Sequence, residues 1–359
     1  MDSGKKSSKF LGFRNNKIYM DLKLILREHA LQFLPAKSLV RFQGVCRDWR
    51  LMISTPFFAH NQSLSFRSVA GLFFSGNPST FISIDPQSCG VPDPALNFLP
   101  APFDILASSN GLLVCKAQTG DQAYYVCNPV TMQWKKLPKP NMEHGNEPAV
   151  VLNFKPSLLN FVAEFTVVCA VRSNDFDDAT EFEIYNSKDG TWKMAKEINF
   201  SVRKVIPKSG VCVNDIVYWQ TYGGILSFDM VKDRSQIMHG HGHNGILGEY
   251  NGKLCSASIT GRTLKLHEMS NIYSNTMQMG SNSHLWDNGV IIHIPGEVYA
   301  HGDASYSRSI LYVGSDIVVL RGGRKVYRYD IKAKETKFVV EAPENGQLAI
   351  PYVNSLVSL

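Results

Sequence analysis

The chain has 359 residues, 44% hydrophobic and 19% charged, with a formal net charge of +6. This is the balance of a globular protein with ample length for a sizeable core, in one large or two modest domains, and the charge is too mild to argue for nucleic acid. No apolar run approaches the roughly 20 residues of a membrane span, so no helical anchor is expected.

In chain order, residues 1–17 read as a disordered tail. Met1 to Lys9 carries Lys5, Lys6 and Lys9 with no apolar run behind them, so no secretory signal is read, and the expected location is the cytoplasm or nucleus. Residues 18–62 change to helical periodicity. Leu22, Ile25, Leu26, Ala30 and Phe33 form one stripe. Pro35 is suited to open a second helix, because its missing N–H costs nothing in a first turn. Along that helix Leu39, Phe42, Val45, Cys46, Trp49 and Ile53 recur at steps of three and four, which predicts a single apolar face. Two such short helices cannot bury their apolar faces alone, so a partner surface is expected.

Leu34-Pro35-Ala36-Lys37-Ser38-Leu39-Val40-Arg41-Phe42, followed by Val45-Cys46-Arg47-Asp48-Trp49-Arg50, resembles the second half of an F-box. The F-box is the helical module that docks substrate receptors onto the Skp-family adaptor of cullin–RING ubiquitin ligases. The first half departs from the family pattern. Leu22-Lys23 stands where Leu-Pro is usual, Ile25 where an acid is common, and His29 where a Glu is common, with Glu28 one place away. The resemblance implies that Leu34, Pro35, Leu39, Val45, Cys46 and Trp49 serve adaptor docking and the helix packing beneath it, with Leu22 and Leu26 completing the apolar surface. On that reading Leu39→Asp or Trp49→Ala abolishes adaptor binding and leaves the rest of the chain folded.

From residue 65 onward the texture becomes short β-rich runs punctuated by Gly, Asn, Asp, Ser and Pro. A two-part unit recurs: a turn ending in Gly or Asp leads into an apolar strand, and a second strand ending in Asp or Asn follows about 14–17 residues on. Asn110-Gly111-Leu112 leads to Tyr125-Val126-Cys127-Asn128, and Asn214-Asp215-Ile216 to Ser227-Phe228-Asp229. Asn251-Gly252-Lys253 leads to Leu264–Glu268, and Ser315-Asp316-Ile317 to Tyr327-Arg328-Tyr329-Asp330. Ala70–Phe74 with Phe81–Asp85, and Phe161–Val167 with Phe182–Asn186, complete six units, while a seventh could start at Asn288-Gly289-Val290. Repetition every ~40–60 residues predicts a β-propeller over 65–359, six blades by this count or seven with the extra start, in preference to a single sandwich. Pro351–Leu359 stays apolar throughout and is expected to supply a strand to the first blade. The fold class is therefore a small all-α N-terminal F-box followed by an all-β propeller.

This half has its own resemblance. Ser109-Asn110-Gly111-Leu112-Leu113, Asn128-Pro129-Val130-Thr131-Met132-Gln133-Trp134, Asn214–Trp219 with Phe228-Asp229, and Pro351–Leu356 are similar to motifs of the F-box-associated propeller region of plant F-box proteins. Gly223-Gly224 and Gly322-Gly323 before a strand resemble kelch repeats.

Sites for chemistry are sparse. His239-Gly240-His241-Gly242-His243 offers imidazoles but reads as an exposed loop. Asn186-Ser187-Lys188-Asp189-Gly190-Thr191-Trp192 reads as a β-turn with a packed Trp. Gly322-Gly323-Arg324-Lys325 lacks the helix a phosphate loop needs. Trp134, Trp192, Trp219 and Trp286 are expected to pack between blades, and Lys135, Lys136 and Lys139 to form a solvated face. The seven cysteines, with no Cys-x-x-Cys, read as small reduced thiols, most of them buried. No cofactor or metal is expected.

The resemblances together imply a non-catalytic substrate receptor. Its partners would be a Skp-family adaptor, through it a cullin, and an unidentified target on the propeller rim, with no nucleic acid and no membrane. Loops 139–149 and 231–246 are candidates for the target face because they are long and polar. Two other classes were open at this point: a propeller enzyme, which would need clustered His, Tyr, Cys or carboxylates at the ring centre, and a propeller binding protein or carbohydrate without ligase assembly.

Overall fold

The computed structural model describes residues 30–66, 68–74, 80–85, 87, 89–158, 162–202, 204–238, 245–270, 286–298, 309–341 and 349–359. Its order begins with the turns. Asn110-Gly111, Asn214-Asp215 and Asn251-Gly252 all have both residues at positive φ. That is the two-residue hairpin turn whose twist matches the flanking strands. In the units built on β5, β9, β13 and β21 the second turn is set by an Asx side chain. Asn128 Oδ1 accepts from Val130 N at 2.9 Å, Asn186 Oδ1 from Lys188 N at 2.9 Å, Asp229 Oδ1 from Lys232 N at 2.9 Å and Asp330 Oδ1 from Ala333 N at 2.9 Å. These side chains mimic a backbone turn, which is why each such strand ends in Asp or Asn.

Between these turns the strands form antiparallel meanders. The sheets are β3 (Phe103–Ser109), β4 (Leu112–Ala117), β5 (Tyr124–Asn128) and β6 (Gln133–Lys136); β7 (Ala149–Phe154), β8 (Phe165–Arg172), β9 (Thr180–Asn186) and β10 (Thr191–Asn199); and β11 (Val211–Val213), β12 (Ile216–Gln220), β13 (Ile225–Asp229) and β14 (Arg234–Met238). Then come β15 (Gly245–Tyr250), β16 (Lys253–Thr260), β17 (Thr263–Met269) and β18 (Trp286–His293), and β19 (Ser309–Val313), β20 (Ile317–Gly322), β21 (Lys325–Asp330) and β22 (Glu335–Glu341). The sixth sheet is β2 (Thr80–Ser83), β1 (Gly71–Phe74) and β23 (Ala349–Tyr352), in that order.

The first strand of five sheets and β23 of the sixth lie innermost, and β3, β7, β11, β15, β19 and β23 contact one another in sequence and back to β3. The ring is a six-bladed propeller. The seventh start does not make a blade: Asn288-Gly289-Val290 lies inside β18, which pairs with β17 as an outer strand. β23 pairs antiparallel with β1, in register from Gly71↔Tyr352 to Phe74↔Ala349, so residues some 280 positions apart close the ring and leave no open edge between first and last blades.

The chain runs on past β23 as a strap. Asn128, fully buried, donates from Nδ2 to the carbonyls of Ser355 at 3.0 Å and Val357 at 2.8 Å, and Ala163 N donates to Ser358 O at 2.8 Å. Gly111 lets the strap pass, since a Cβ there would lie 2.1 Å from Ser355 Cβ.

Among the cysteines, Cys115, Cys127, Cys169 and Cys255 are buried and Cys212 is partly so, while Cys46 and Cys89 are exposed. The packing predicted for the tryptophans holds for Trp192 and Trp219. Trp192 sits 5.7 Å from Tyr124 of the preceding blade, and Trp219 stacks at 6.0 Å on Phe182 of the blade before it. Trp134 differs: it is 43% exposed and meets only the edge of Tyr125 in its own sheet. β6 is an outermost strand, exposed along its whole length, so no neighbouring blade covers it.

Candidate docking surfaces

The N-terminal helices are α1 (Ala36–Phe42), α2 (Arg47–Ile53) and α3 (Pro56–Ser65), preceded by a single 3-10 turn at Leu31–Phe33. The single helical face expected through residue 53 is interrupted. Gln43–Val45 form a turn and Cys46 is extended, at φ −157 and ψ 166, before α2 starts. The break is held by capping. Cys46 Sγ accepts from Trp49 N at 3.5 Å, and Arg50 Nε donates to Gln43 O at 3.2 Å. Thr55 caps α3 by accepting from Phe58 N at 3.3 Å, with Pro56 at the first helical position.

This break redistributes the predicted residues. Leu39 and Ile53 are fully buried. With Leu31, Ala36 and Phe58 they join one core with Phe73, Leu96, Ile105, Leu113, Tyr352 and Leu356 of the propeller and its strap. Leu39 is thus part of the packing beneath a docking surface and is not itself displayed. Phe42 and Trp49, both half-buried, pack at 5.5 Å, and Leu34 and Pro35 are half-buried as well. Val45 and Cys46 face solvent. Leu22 and Leu26 lie outside the described residues.

Other apolar side chains of the helical segment are exposed. Phe33, Val45, Leu51, Phe57 and Leu64 are 60%, 62%, 59%, 63% and 47% exposed. Phe57 and Leu64 are seven residues apart and share a face of α3. Sequence reasoning missed Leu51 and Phe57. Their signal was an apolar residue out of phase with the stripe that leads to Ile53 and Phe58.

The helices sit on the end of the ring where β7 finishes. Ser54 to Pro56, Ala59 and His60 line a small crevice with Phe154, Pro156, Ser157 and strap residues Ser355–Ser358. The connections at the other end of the strands therefore form the free face. One of them, residues 137–148, covers the predicted loop 139–149 except Ala149, which begins β7, and a buried polar network fastens it. Glu183, fully buried on β9, accepts from Asn141 N at 2.7 Å, Asn141 Nδ2 at 2.9 Å and Met142 N at 3.1 Å, and pairs with His144 Nε2 at 2.8 Å. His144 Nδ1 meets Tyr124 Oη at 2.8 Å, and Lys116 Nζ donates to Gly145 O. Burial alone raises the Glu183 pKa. The hydrogen bonds from His144 and from the Asn141 and Met142 amides outweigh it and hold the carboxyl below its ordinary value of 4.5. Burial pushes the Tyr124 phenol up and the Lys116 ammonium down.

A depressed carboxyl pKa adds stability above the unfolded-state value and loses it as pH falls through the folded one. The loop is therefore expected to loosen only below about pH 4, detected as faster amide exchange at residues 141–145. Glu183→Ala is expected to cost about 3 kcal/mol at neutral pH, because it leaves the Asn141 and Met142 donors buried without an acceptor. Chemical denaturation would measure this, and an unchanged midpoint would refute the role assigned to Glu183.

Of the second predicted loop, residues 231–238 form a turn and β14, and His239–His243 lie outside the described residues. Among the described residues, no three His, Cys, Asp or Glu side chains gather as a metal set.

Helices seated on one end of a closed six-bladed ring define a class: a propeller carrying an N-terminal helical module. A family model described as "F-box protein At3g26010-like, beta-propeller" matches residues 96–241, which span the sheets β3–β6, β7–β10 and β11–β14. Among curated relatives from Arabidopsis thaliana, F-box protein At5g49610 is 28% identical over 68% of this chain and 73% of its own length. F-box protein At5g07610 is 28% identical over 58% of this chain and 54% of its own, and the putative F-box/kelch-repeat protein At1g15680 is 27% identical over 56% and 54%. The match thus spans about half the length of two of these relatives. The chain is thus similar to a plant F-box protein with a propeller region: its middle three blades match a propeller model described from an F-box protein, and its curated relatives are named as F-box proteins.

Proposed function

We propose that the chain is the substrate-recognition subunit of an SCF-type cullin–RING ubiquitin ligase, working in the cytoplasm or nucleus. Residues 18–62 act as the F-box and hold a Skp-family adaptor, and the kelch-like propeller holds a target protein. The chain itself makes and breaks no bonds. It raises the effective concentration of target lysines at the charged ubiquitin-carrying enzyme, to the millimolar range typical of tethered partners. The observation that carries this reading is the set of exposed apolar side chains on a helical segment whose buried residues are sealed into the propeller core. Five large apolar side chains between Phe33 and Leu64 are each at least 47% exposed, a concentration that favours a partner surface. Cys46 and Trp49 border this set, and the relatives are named as F-box proteins.

The test is capture of the full chain by purified Skp-family adaptor. The double variant Val45→Asp/Leu51→Asp is expected to lose at least about tenfold in affinity, as hot-spot residues do, with its unfolding midpoint unchanged because both side chains are solvent-facing. Equal capture of the variant, or no capture of the folded wild type, would sink the ligase reading. In the second case the propeller stands as a binding module for a protein or carbohydrate without ligase assembly.

A further inference from the structure

Asn-Gly occurs five times in the chain. In this dipeptide an asparagine side chain is most open to attack by the main chain, because glycine puts no Cβ beside the attacking nitrogen. Two of the five form hairpin turns of the same kind. Asn110-Gly111 joins β3 to β4 and Asn251-Gly252 joins β15 to β16, with both residues of each at positive φ. Their surroundings differ in the respects that bear on that reaction.

At the first turn Asn110 Nδ2 donates to Phe154 O at 2.6 Å. Gly111 is buried under the strap, where a Cβ would lie 2.1 Å from Ser355 Cβ. The carboxamide is tethered, and the peptide that follows it has no room to turn. At the second turn both residues are exposed, and a Cβ on Gly252 would meet nothing within 4 Å. Among the described residues the Asn251 carboxamide has no hydrogen-bond partner. Two bonds hold the main chain of this turn. Asn251 N donates to Ser315 Oγ at 2.9 Å, and Gly252 O accepts from Asn214 Nδ2 at 3.0 Å. Both are exposed to solvent, so opening them costs little. Asn288-Gly289 is fixed in the ladder between β18 and β17, where a Cβ on Gly289 would lie 1.9 Å from Leu266 O. Asn244 and Asn345 lie outside the described residues.

We infer that Asn251-Gly252 is a site of spontaneous modification in the folded protein, deamidating to aspartate and isoaspartate while Asn110-Gly111 is protected. The Gly252 nitrogen loses its proton and attacks Asn251 Cγ. The new N–C bond closes a five-membered succinimide, and the Cγ–Nδ2 bond breaks to release ammonia. Water then opens the ring at either carbonyl. One opening gives aspartate. The other gives isoaspartate, in which the main chain runs through Cβ and Cγ and is one atom longer. Nothing is oxidised or reduced.

The position of the turn gives the change a structural effect. Asn214 belongs to the blade before it and Ser315 to the blade after it, so this turn links three blades on the end of the ring that carries the helices. A two-residue hairpin turn has no place for an extra main-chain atom. Isoaspartate therefore draws Gly252 O away from Asn214 and the residue 251 nitrogen away from Ser315, and both products add a negative charge. The modification marks the age of a folded copy at one joint of the ring, and it does not depend on the ligase reading.

The test incubates the purified full chain in mildly alkaline buffer, natively and in concentrated urea, and follows each Asn-Gly pair by proteolytic mapping with fragmentation that separates isoaspartate from aspartate. An isoaspartate-specific carboxyl methyltransferase with labelled S-adenosylmethionine counts the isoaspartate independently. In the native protein Asn251 is expected to convert at least about tenfold faster than Asn110, whose reaction must wait for the strap to open. In urea, where neither turn has its surroundings, the two rates are expected to converge. The native rate at Asn251 rises with pH, because the attacking nitrogen must be deprotonated. Asn251→Gln, whose longer side chain closes a ring far less readily, is expected to lose the product at position 251 and to leave conversion elsewhere unchanged. Native Asn251 converting no faster than Asn110 would overturn the inference. So would an equal excess at Asn251 in urea, which would assign the difference to sequence and not to the fold.

Discussion

Leu39→Asp is expected to destabilise the whole protein by at least about 4 kcal/mol, and to do so less at pH 4 than at pH 7. Leu39 is fully buried in the core shared by the helices and the propeller. Removing its side chain forfeits about 2–5 kcal/mol of packing, and placing a carboxyl there adds a desolvation cost. Burial raises the pKa of such a group above its unfolded value near 3.9, so the ionisation part of the cost grows as pH rises above that value and shrinks as pH falls toward it. Leu39→Asn carries the polar cost without the titration, so its penalty should be flat across the same range. Denaturation midpoints of both variants at the two pH values decide the matter. The sequence alone suggested that Leu39→Asp would cut adaptor binding in a folded protein. The burial of Leu39 makes lost binding a consequence of lost folding, and a Leu39→Asp protein with wild-type stability would show that the helices do not share the propeller core.

Tyr352→Ala is expected to cost about 4 kcal/mol, a large part of the roughly 5–15 kcal/mol by which folded domains exceed their unfolded chains. Tyr352 is fully buried and ends β23. Its ring packs edge-on against Phe73 at 5.5 Å and Phe81 at 6.2 Å, and its hydroxyl reaches Asn128 Oδ1 at 3.4 Å. It therefore joins the closing strand to β1, to β2 and to the residue that clamps the strap. Because Tyr352 also belongs to the core that buries Leu39 and Ile53, adaptor capture and propeller structure should fail together along one denaturation curve. Two separated transitions, with the helices surviving ring opening, would contradict that arrangement.

The ring was readable because its signals are local. The Asn110-Gly111, Asn214-Asp215 and Asn251-Gly252 turns and the Asn128, Asp229 and Asp330 strand ends repeat a two-turn grammar that each blade needs, whatever surrounds it. The seventh start at Asn288 mimicked that grammar. Only its pairing with β17 shows it to be an outer strand, and pairing partners are not written locally. The helix break at Gln43–Cys46 was hidden for the opposite reason. The three-and-four spacing runs on through the turn, while the extended Cys46 resets the phase and turns Val45 outward. Glu183, His144 and Tyr124 belong to three separate segments, and nothing in the spacing of a Glu, a His and a Tyr announces that folding will join them.

The closure of the ring by β23 has a consequence for how the protein is made. Residues of β1 leave the ribosome some 280 residues before their partners in β23, and those of α1 more than 300 before. At about 5–20 residues per second this is on the order of half a minute. Throughout that interval Leu39, Phe73 and the strands beside them lack the groups that finally cover them, and each blade that emerges adds another uncovered face. The nascent chain therefore passes through a long aggregation-exposed stage. A chain that stalls before residue 349 never completes the packing under its N-terminal helices, so synthesis itself restricts a properly supported helical segment to finished copies.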